Sequence, residues 1–202
     1  MNSERPARVR TLKPLVLSLL LLMAMPLACA ADAPFKLGDR LAPAGGKATP
    51  AYRELTWYQL TPAEWDPMAG VKREDIARMR DGDPRATALL KKLQDAWKNA
   101  PTVPELDKQA VRIAGFLVPL DADRNTVREF LLVPYFGACI HTPPPPSNQA
   151  IHVKMDKPFK GRMMEAFWIS GTLHIEQGES PFGATAYRMQ GRGTEPYQMP
   201  DR

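Results

Sequence analysis

The chain has 202 residues, of which 44% are hydrophobic and 24% are charged, values typical of one folded domain with short appendages. Its 21 prolines favour loops and strands over long helices. The formal net charge of +5 is spread without a basic block or stripe, which excludes an electrostatic surface for nucleic acid.

The start of the chain has the pattern of an export signal. A basic region ending at Lys13 precedes an apolar run at 15–27, and Ala28-Cys29-Ala30 fits a small-x-small cleavage site. The apolar run is too short for a comfortable membrane span. We therefore predict a cleaved signal peptide at 1–30 and a periplasmic, oxidising location.

Lipid attachment at Cys29 is the alternative to simple cleavage. The residues Pro26-Leu27-Ala28-Cys29 resemble a bacterial lipobox, although proline stands where a leucine-like residue is usual. A lipid there would give the protein a peripheral membrane association. After removal of the signal peptide, Cys139 is the one cysteine left, and an odd cysteine in an oxidising compartment indicates a site to be explained.

The segment before the strands is predicted to be helical. Residues 31–51, rich in small residues, Gly and Pro, are expected to form a flexible arm, and 52–109 a helical N-terminal appendage. Within the appendage, Thr61-Pro62 and Asp83-Pro84 each combine an N-cap residue with proline at the first helical position. The second pair opens an amphipathic helix that ends at about residue 99, with an apolar stripe at Leu89, Leu93 and Trp97.

Residues 110–192 are predicted to form the main domain, because their pattern changes to β. Gly171 is expected to mark a bulge or sharp bend in a long strand. The absence of a crossover helix between the strands favours a mainly β fold with the helical appendage (α+β), as a small five-stranded barrel of oligonucleotide-/oligosaccharide-binding (OB) type. A sandwich is the alternative, and 193–202 are expected to form a C-terminal tail. The five predicted strands are 111–120, 127–134, 150–155, 164–176 and 185–190.

Four residues are candidate metal ligands. Cys139 and His141 are two apart, so in extended backbone their side chains share one face and can reach one ion, and Zn²⁺ favours thiolate and imidazole ligands. His152 and His174 alternate with apolar residues in the third and fourth strands, outside the apolar face. We therefore predict a zinc site at Cys139, His141, His152 and His174. A buried inert cysteine beside a hydrogen-bonded histidine is the alternative.

A thiol-dependent enzyme is a further interpretation of this region. Cys139 would be the nucleophile, with His141 or His152 as the base. The loop contains no Asp or Glu to orient an imidazole, and the mature chain offers no second cysteine for disulfide exchange. We therefore predict no catalytic residues.

The loop after Cys139 is a candidate partner-binding surface. Four consecutive prolines favour a stiff polyproline conformation, which serves either as a rigid spacer or as an exposed apolar lip. In the second interpretation the lip docks a protein partner. The predicted contact residues are Tyr135, Phe136, Pro143, Pro144, Pro145, Pro146, Asn148 and Gln149.

Five motifs of the chain are distinctive: LTWYQLTP at 55–62, GFLVPL at 115–120, FLLVPYFGACIH at 130–141, the four prolines with Asn148-Gln149, and WISGTL at 168–173. In these motifs the chain resembles the exported bacterial proteins of domain-of-unknown-function family 3299. The resemblance covers roughly 52–190 and implies a periplasmic, often lipoprotein-like protein with an OB-type barrel and no established catalytic activity. It also implies an association with ABC-type envelope transport systems linked to zinc supply.

Together these observations predict a non-enzymatic periplasmic binding or accessory protein that serves an envelope ABC-type transport system in zinc handling. The alternatives are the thiol-dependent enzyme and a purely structural module that docks a partner.

Overall fold

The strands predicted from the alternating pattern close into a barrel. The computed structural model describes residues 35–41, 51–80, 82–121 and 126–198. The predicted signal peptide, the lipidation site at Cys29, and most of the predicted arm lie outside them. The described residues belong to one compact unit, Phe35–Arg202.

The five barrel strands follow the last helical segment. They are β2 (Ala110–Pro119), β3 (Thr126–Val133), β4 (Ile151–Lys160), β5 (Ala166–Ser180) and β6 (Gly183–Pro196), after a short β1 (Arg53–Leu55). Their order is β2-β3-β4-β6-β5, and β5 pairs back onto β2 to close the barrel. The β4–β6 pairing is parallel and the other barrel pairings are antiparallel. The predicted five-stranded, OB-like barrel is confirmed.

The barrel interior is filled by the residues that alternate along each strand. Val111 and Ile113 of β2, Ile151 and Val153 of β4, and Leu173 of β5 are all at most 1% exposed. The 3₁₀ segments Trp57–Leu60 and Pro104–Leu106 add three further side chains to the same core, which are Trp57, Leu60 and Leu106. The appendage therefore shares its core with the barrel.

Gly171 lies at an irregularity, as the sequence predicts. The β5–β6 register shifts between Ser170 and Gly171. A Cβ atom at position 171 would overlap the backbone oxygen of Gln190, so the close approach of β6 requires glycine there.

Two helices precede the barrel, α1 (Arg73–Ala77) and α2 (Pro84–Lys98). Asp83 caps α2 by accepting a hydrogen bond from the Arg85 backbone N–H at 2.8 Å, which confirms this predicted helix start. No residue of α2 is buried. Among the described residues, no helix is long and apolar enough to cross a membrane.

The prediction that a helix starts at Thr61-Pro62 is wrong. Thr61 is the C-cap of the Trp57–Leu60 segment, and turns follow it until α1. The Thr61 hydroxyl accepts a hydrogen bond from the Gln149 side-chain amide at 2.9 Å. A tertiary contact therefore uses the group that would have capped the helix.

Candidate functional site

The Cys139–His141 segment is a tight turn, so the extended backbone assumed for it is wrong. The backbone oxygen of Gly137 accepts hydrogen bonds from the N–H groups of His141 at 2.9 Å and of Ile140 and Thr142 at 3.3 Å. Cys139 has a φ of 65°, in the left-handed region that few non-glycine residues adopt. Cys139 and His141 therefore do not lie on one face of an extended strand.

Cys139 packs against an apolar cluster outside the barrel interior that includes Phe116 and Leu131. Burial raises the pKa of its thiol to about 11, because a thiolate is poorly solvated there. His141 is exposed in the same turn. At neutral pH this raised pKa keeps the Cys139 thiol largely protonated.

His152 and His174 lie in one row across three strands. Arg188 of β6 is in register with His152 on one side and with His174 on the other. His152 Nε2 lies 2.8 Å from Glu129 Oε1, and Arg188 Nη1 donates to Glu176 Oε1 at 2.7 Å. The two histidines share the outer face of the barrel, and an arginine separates them.

These positions do not fit the predicted zinc site. A structural Zn²⁺ site needs four ligand atoms at about 2.0–2.3 Å from the ion. Within the part of the chain that the structure describes, no group of three or more His, Cys, Asp or Glu side chains is placed to hold a metal ion. Cys139 lies in an apolar cluster, whereas His152 is paired with Glu129 on the barrel surface.

A polar groove of about 440 Å³ lies beside His174 on the outer face of the barrel. Its charges largely offset one another, and no Phe, Tyr or Trp side chain lines it. It therefore has neither a strong preference for an anion nor a platform for ring stacking. Its lining residues are Arg128, Lys154, Met155, Asp156, His174, Glu176, Arg188 and Gln190.

Tyr135 and Phe136, two of the predicted partner contacts, are half-buried by the chain itself. The Arg40 guanidinium lies 5.2 Å from the centre of the Tyr135 ring, and Phe35 stacks on Phe136 with ring centroids 6.2 Å apart. The Phe136 N–H donates to the Asp39 backbone oxygen at 2.9 Å. The segment 35–41 therefore covers this corner.

Asn148 and Gln149 join the proline loop to the appendage. The Asn148 amide donates to the Pro101 backbone oxygen at 2.8 Å, and the Gln149 amide donates to the Trp57 backbone oxygen at 2.9 Å. Asn148 is fully buried. These contacts are structural, and the sequence pattern gave no sign of them.

Pro143 and Pro144 remain exposed, whereas Pro145 is buried. Together they form one wall of an open apolar cleft of about 530 Å³, and α2 forms the opposite wall. The Lys98 ammonium and the Glu179 carboxylate form an ion pair of 2.7 Å between α2 and the end of β5. We call this the α2–proline cleft, and its lining residues are Leu90, Gln94, Trp97, Lys98, Pro143, Pro144, Pro145, Ser147, Glu179, Ser180, Gly183 and Ala184.

The sequence model of a family of proteins of unknown function, DUF3299, matches residues 57–196. The chain belongs to this family.

A solved structure supports the same assignment. The crystal structure of a DUF3299 family protein from Pseudomonas aeruginosa PAO1, at 2.45 Å resolution, is similar with a TM-score of 0.58 and 40% sequence identity. The similarity covers 75% of this chain and 99% of that chain. No match was found among curated proteins. The family resemblance seen in the motifs is therefore confirmed. The descriptions of the family and of the solved structure name no activity.

Proposed function

We propose that this protein is a non-enzymatic binding protein of the bacterial periplasm, which serves an ABC-type envelope transport system by docking a protein partner in the α2–proline cleft. The observation that carries the proposal is the apolar cleft between α2 and the proline loop, to which α2 contributes the side chains of Leu90 and Trp97. This helix has 15 residues and buries none of them.

The exposure of this helix is unusual for a helix of its length. Helices in proteins gain most of their stability by packing an apolar face. Leu90 is 57% exposed and Trp97 is only half-buried. Complete burial of a leucine side chain is worth about 1.5–3 kcal/mol. A partner that covers Leu90 and Trp97 therefore gains apolar contacts that these side chains do not make within the chain.

The chemistry of the candidate nucleophile supports a non-enzymatic role. A catalytic cysteine needs a lowered pKa and a base within hydrogen-bonding reach. Burial instead raises the pKa of Cys139 to about 11. The thiol-enzyme alternative therefore lacks the lowered pKa.

The cellular setting in this proposal rests on two sequence arguments. The first 30 residues match an export signal, and the family resemblance associates similar proteins with ABC-type envelope transport. Zinc handling has no support from the geometry, because the four predicted ligands do not form a cluster. The proposed function therefore does not depend on zinc.

Co-purification tests the proposal directly. The full chain, expressed with its signal, is recovered from detergent-solubilised membranes through tagged membrane subunits of envelope ABC-type transporters. We expect wild type to co-purify and the double variant Pro143→Ser/Pro144→Ser to be lost, since both prolines are exposed in the cleft wall. The matched control is Pro62→Ser, outside the cleft. Equal recovery of the double variant and wild type would contradict the proposal.

A further inference from the structure

We propose that the mature protein rests on a lipid bilayer through one corner of the fold, where the turns at 36–39, 137–142 and 162–165 meet at Gly137. We call this surface the Gly137 corner. It shares no residue with the α2–proline cleft, so this contact with lipid is separate from the proposed docking of a protein partner.

Gly137 lies at the point where the three turns touch. Its backbone oxygen organises the turn 137–142, and its N–H donates to the Met164 sulfur at 3.2 Å. The Leu37 side chain covers Gly137 so closely that a Cβ atom at position 137 would overlap it. The three turns therefore lie side by side and present one continuous surface.

Each of these turns carries a large apolar side chain that the chain leaves exposed. Leu37 is 57% exposed, Ile140 38% and Met163 47%. They are three of the six exposed large apolar side chains among the described residues, and their turns meet at a single glycine. Isolated exposed apolar residues are ordinary on a protein surface, whereas a group of them marks an interaction site.

The described chain begins at the same corner. The Phe35 ring lies edge-on to Phe116 with ring centroids 5.0 Å apart and stacks on Phe136, which places Phe35 beside the three turns. Cys29, the alternative site of lipid attachment, precedes Phe35 by six residues, and six residues span at most about 20 Å. A lipid on Cys29 would therefore keep the Gly137 corner within about 20 Å of a bilayer surface.

The chemistry of the corner suits the interfacial region of a bilayer. Leucine, isoleucine and methionine side chains gain free energy when they leave water for the acyl boundary. Lys36 and Arg162 stand next to two of these apolar residues in the sequence, and long cationic side chains extend to the level of the phosphates.

Net charge does not explain the contact. Asp39 and Glu165, the carboxylates of the same turns, accept the backbone N–H groups of Lys36 and Arg162 at 2.7 and 3.0 Å. Two carboxylates therefore balance the two cations of these turns. The apolar side chains, rather than an attraction to anionic lipid, drive the contact.

Single fluorescent probes in the three turns test the inference. The full chain is expressed with its signal in a Cys139→Ser background, which leaves no native thiol to label because residue 29 is either acylated or removed. A polarity-sensitive nitrobenzoxadiazole dye is attached to Leu37→Cys, Ile140→Cys or Met163→Cys, and to Ile76→Cys as the control. Ile76 lies in α1 and is 39% exposed, so its starting environment is similar.

The labelled proteins are mixed with vesicles of phosphatidylethanolamine and phosphatidylglycerol. We expect the emission from all three turn positions to shift to shorter wavelength and to rise by about twofold or more, and the control to stay unchanged. A nitroxide quencher on the lipid acyl chains should then reduce the three signals by about half, because the dyes lie at the acyl boundary. Replacing phosphatidylglycerol with phosphatidylcholine should change the signals by less than about twofold, since these turns carry no net charge.

Probes that stay in water at all three positions, or that respond no more than Ile76→Cys, would overturn the inference. Shielding of the probes only on vesicles that also contain a transporter complex would identify a protein as the occupant and would overturn it equally. If transporter subunits fail to co-purify while the three probes enter the bilayer, the proposed function falls and this inference stands.

Discussion

Pro144 packs directly over Gly183, so that a side chain at position 183 would place its Cβ atom 2.9 Å from the Cβ of Pro144. Gly183 also has a φ of 129°, a conformation that side-chain-bearing residues rarely adopt. This contact holds the proline wall of the α2–proline cleft against the turn between β5 and β6.

Gly183→Ala should therefore destabilise the protein and displace the proline wall. The expected loss in free energy of unfolding is about 1–3 kcal/mol, from backbone strain and the collision with Pro144. Urea unfolding measures it. Gly193→Ala is the control, because a Cβ there would meet Ser170 at an ordinary 3.6 Å. Equal free energies of unfolding for Gly183→Ala and Gly193→Ala would contradict the close contact between Pro144 and Gly183.

Tyr187 joins the barrel to the appendage. Its buried hydroxyl donates to the Leu60 backbone oxygen at 2.9 Å and accepts from the Val103 N–H at 2.7 Å. Tyr187→Phe leaves both backbone groups without this partner, so the free energy of unfolding should fall by about 1–3 kcal/mol. Tyr58→Phe, at a residue that is 80% exposed, should have no measurable effect in the same urea titration. An unchanged urea midpoint for Tyr187→Phe would show that these hydrogen bonds do not couple the barrel to the appendage.

The thiol of Cys139 should react slowly with maleimide at neutral pH. Its pKa is raised from 9.0 to about 11, which lowers the thiolate fraction about a hundredfold. The rate should then rise about tenfold for each pH unit between pH 7 and 9. The control is Leu90→Cys in a Cys139→Ser background, which places a thiol at an exposed site and should react much faster. Rapid labelling of Cys139 at pH 7 would restore the enzyme alternative.

Zinc content is the separate test of the predicted metal site. Because no metal-binding cluster forms among the described residues, we expect the untagged protein purified from the periplasm to contain much less than one zinc per chain. Elemental analysis before and after incubation with zinc measures this. Stoichiometric zinc in wild type that is lost in both Cys139→Ser and His141→Ala would instead establish the site and require a rearranged turn.

The barrel was predictable because its strands alternate in a regular way. Ile151, Val153 and Met155 occupy every second position of β4 and are all buried. The ends of the strands were not predictable from this pattern. The last part of β6 contains Gly191 and Gly193, whereas the predicted strand ended at residue 190 and a C-terminal tail was expected from 193. In the fold, however, a Cβ at position 191 would overlap the Met155 sulfur, so close packing against β4 requires glycine there.

The candidate site was less predictable because its geometry depends on contacts distant in sequence. The left-handed conformation of Cys139 belongs to the turn organised by the Gly137 oxygen, and the spacing of Cys139 and His141 does not reveal it. The amphipathic helix α2 and the four prolines were both visible in the sequence. That Leu90 and Trp97 of the helix face the prolines across one cleft depends on where the loop is anchored, through Asn148 and Gln149.

Photo-crosslinking from α2 in living cells tests most directly whether the α2–proline cleft is a partner-binding surface. A benzophenone amino acid replaces Leu90, which lines the cleft, or Lys92, which lies on the opposite side of the helix. We predict a discrete crosslink to a membrane subunit of an ABC-type envelope transporter from position 90, lost in the Pro143→Ser/Pro144→Ser background, and none from position 92. Equal crosslinking from both positions, or none from position 90, would contradict the account.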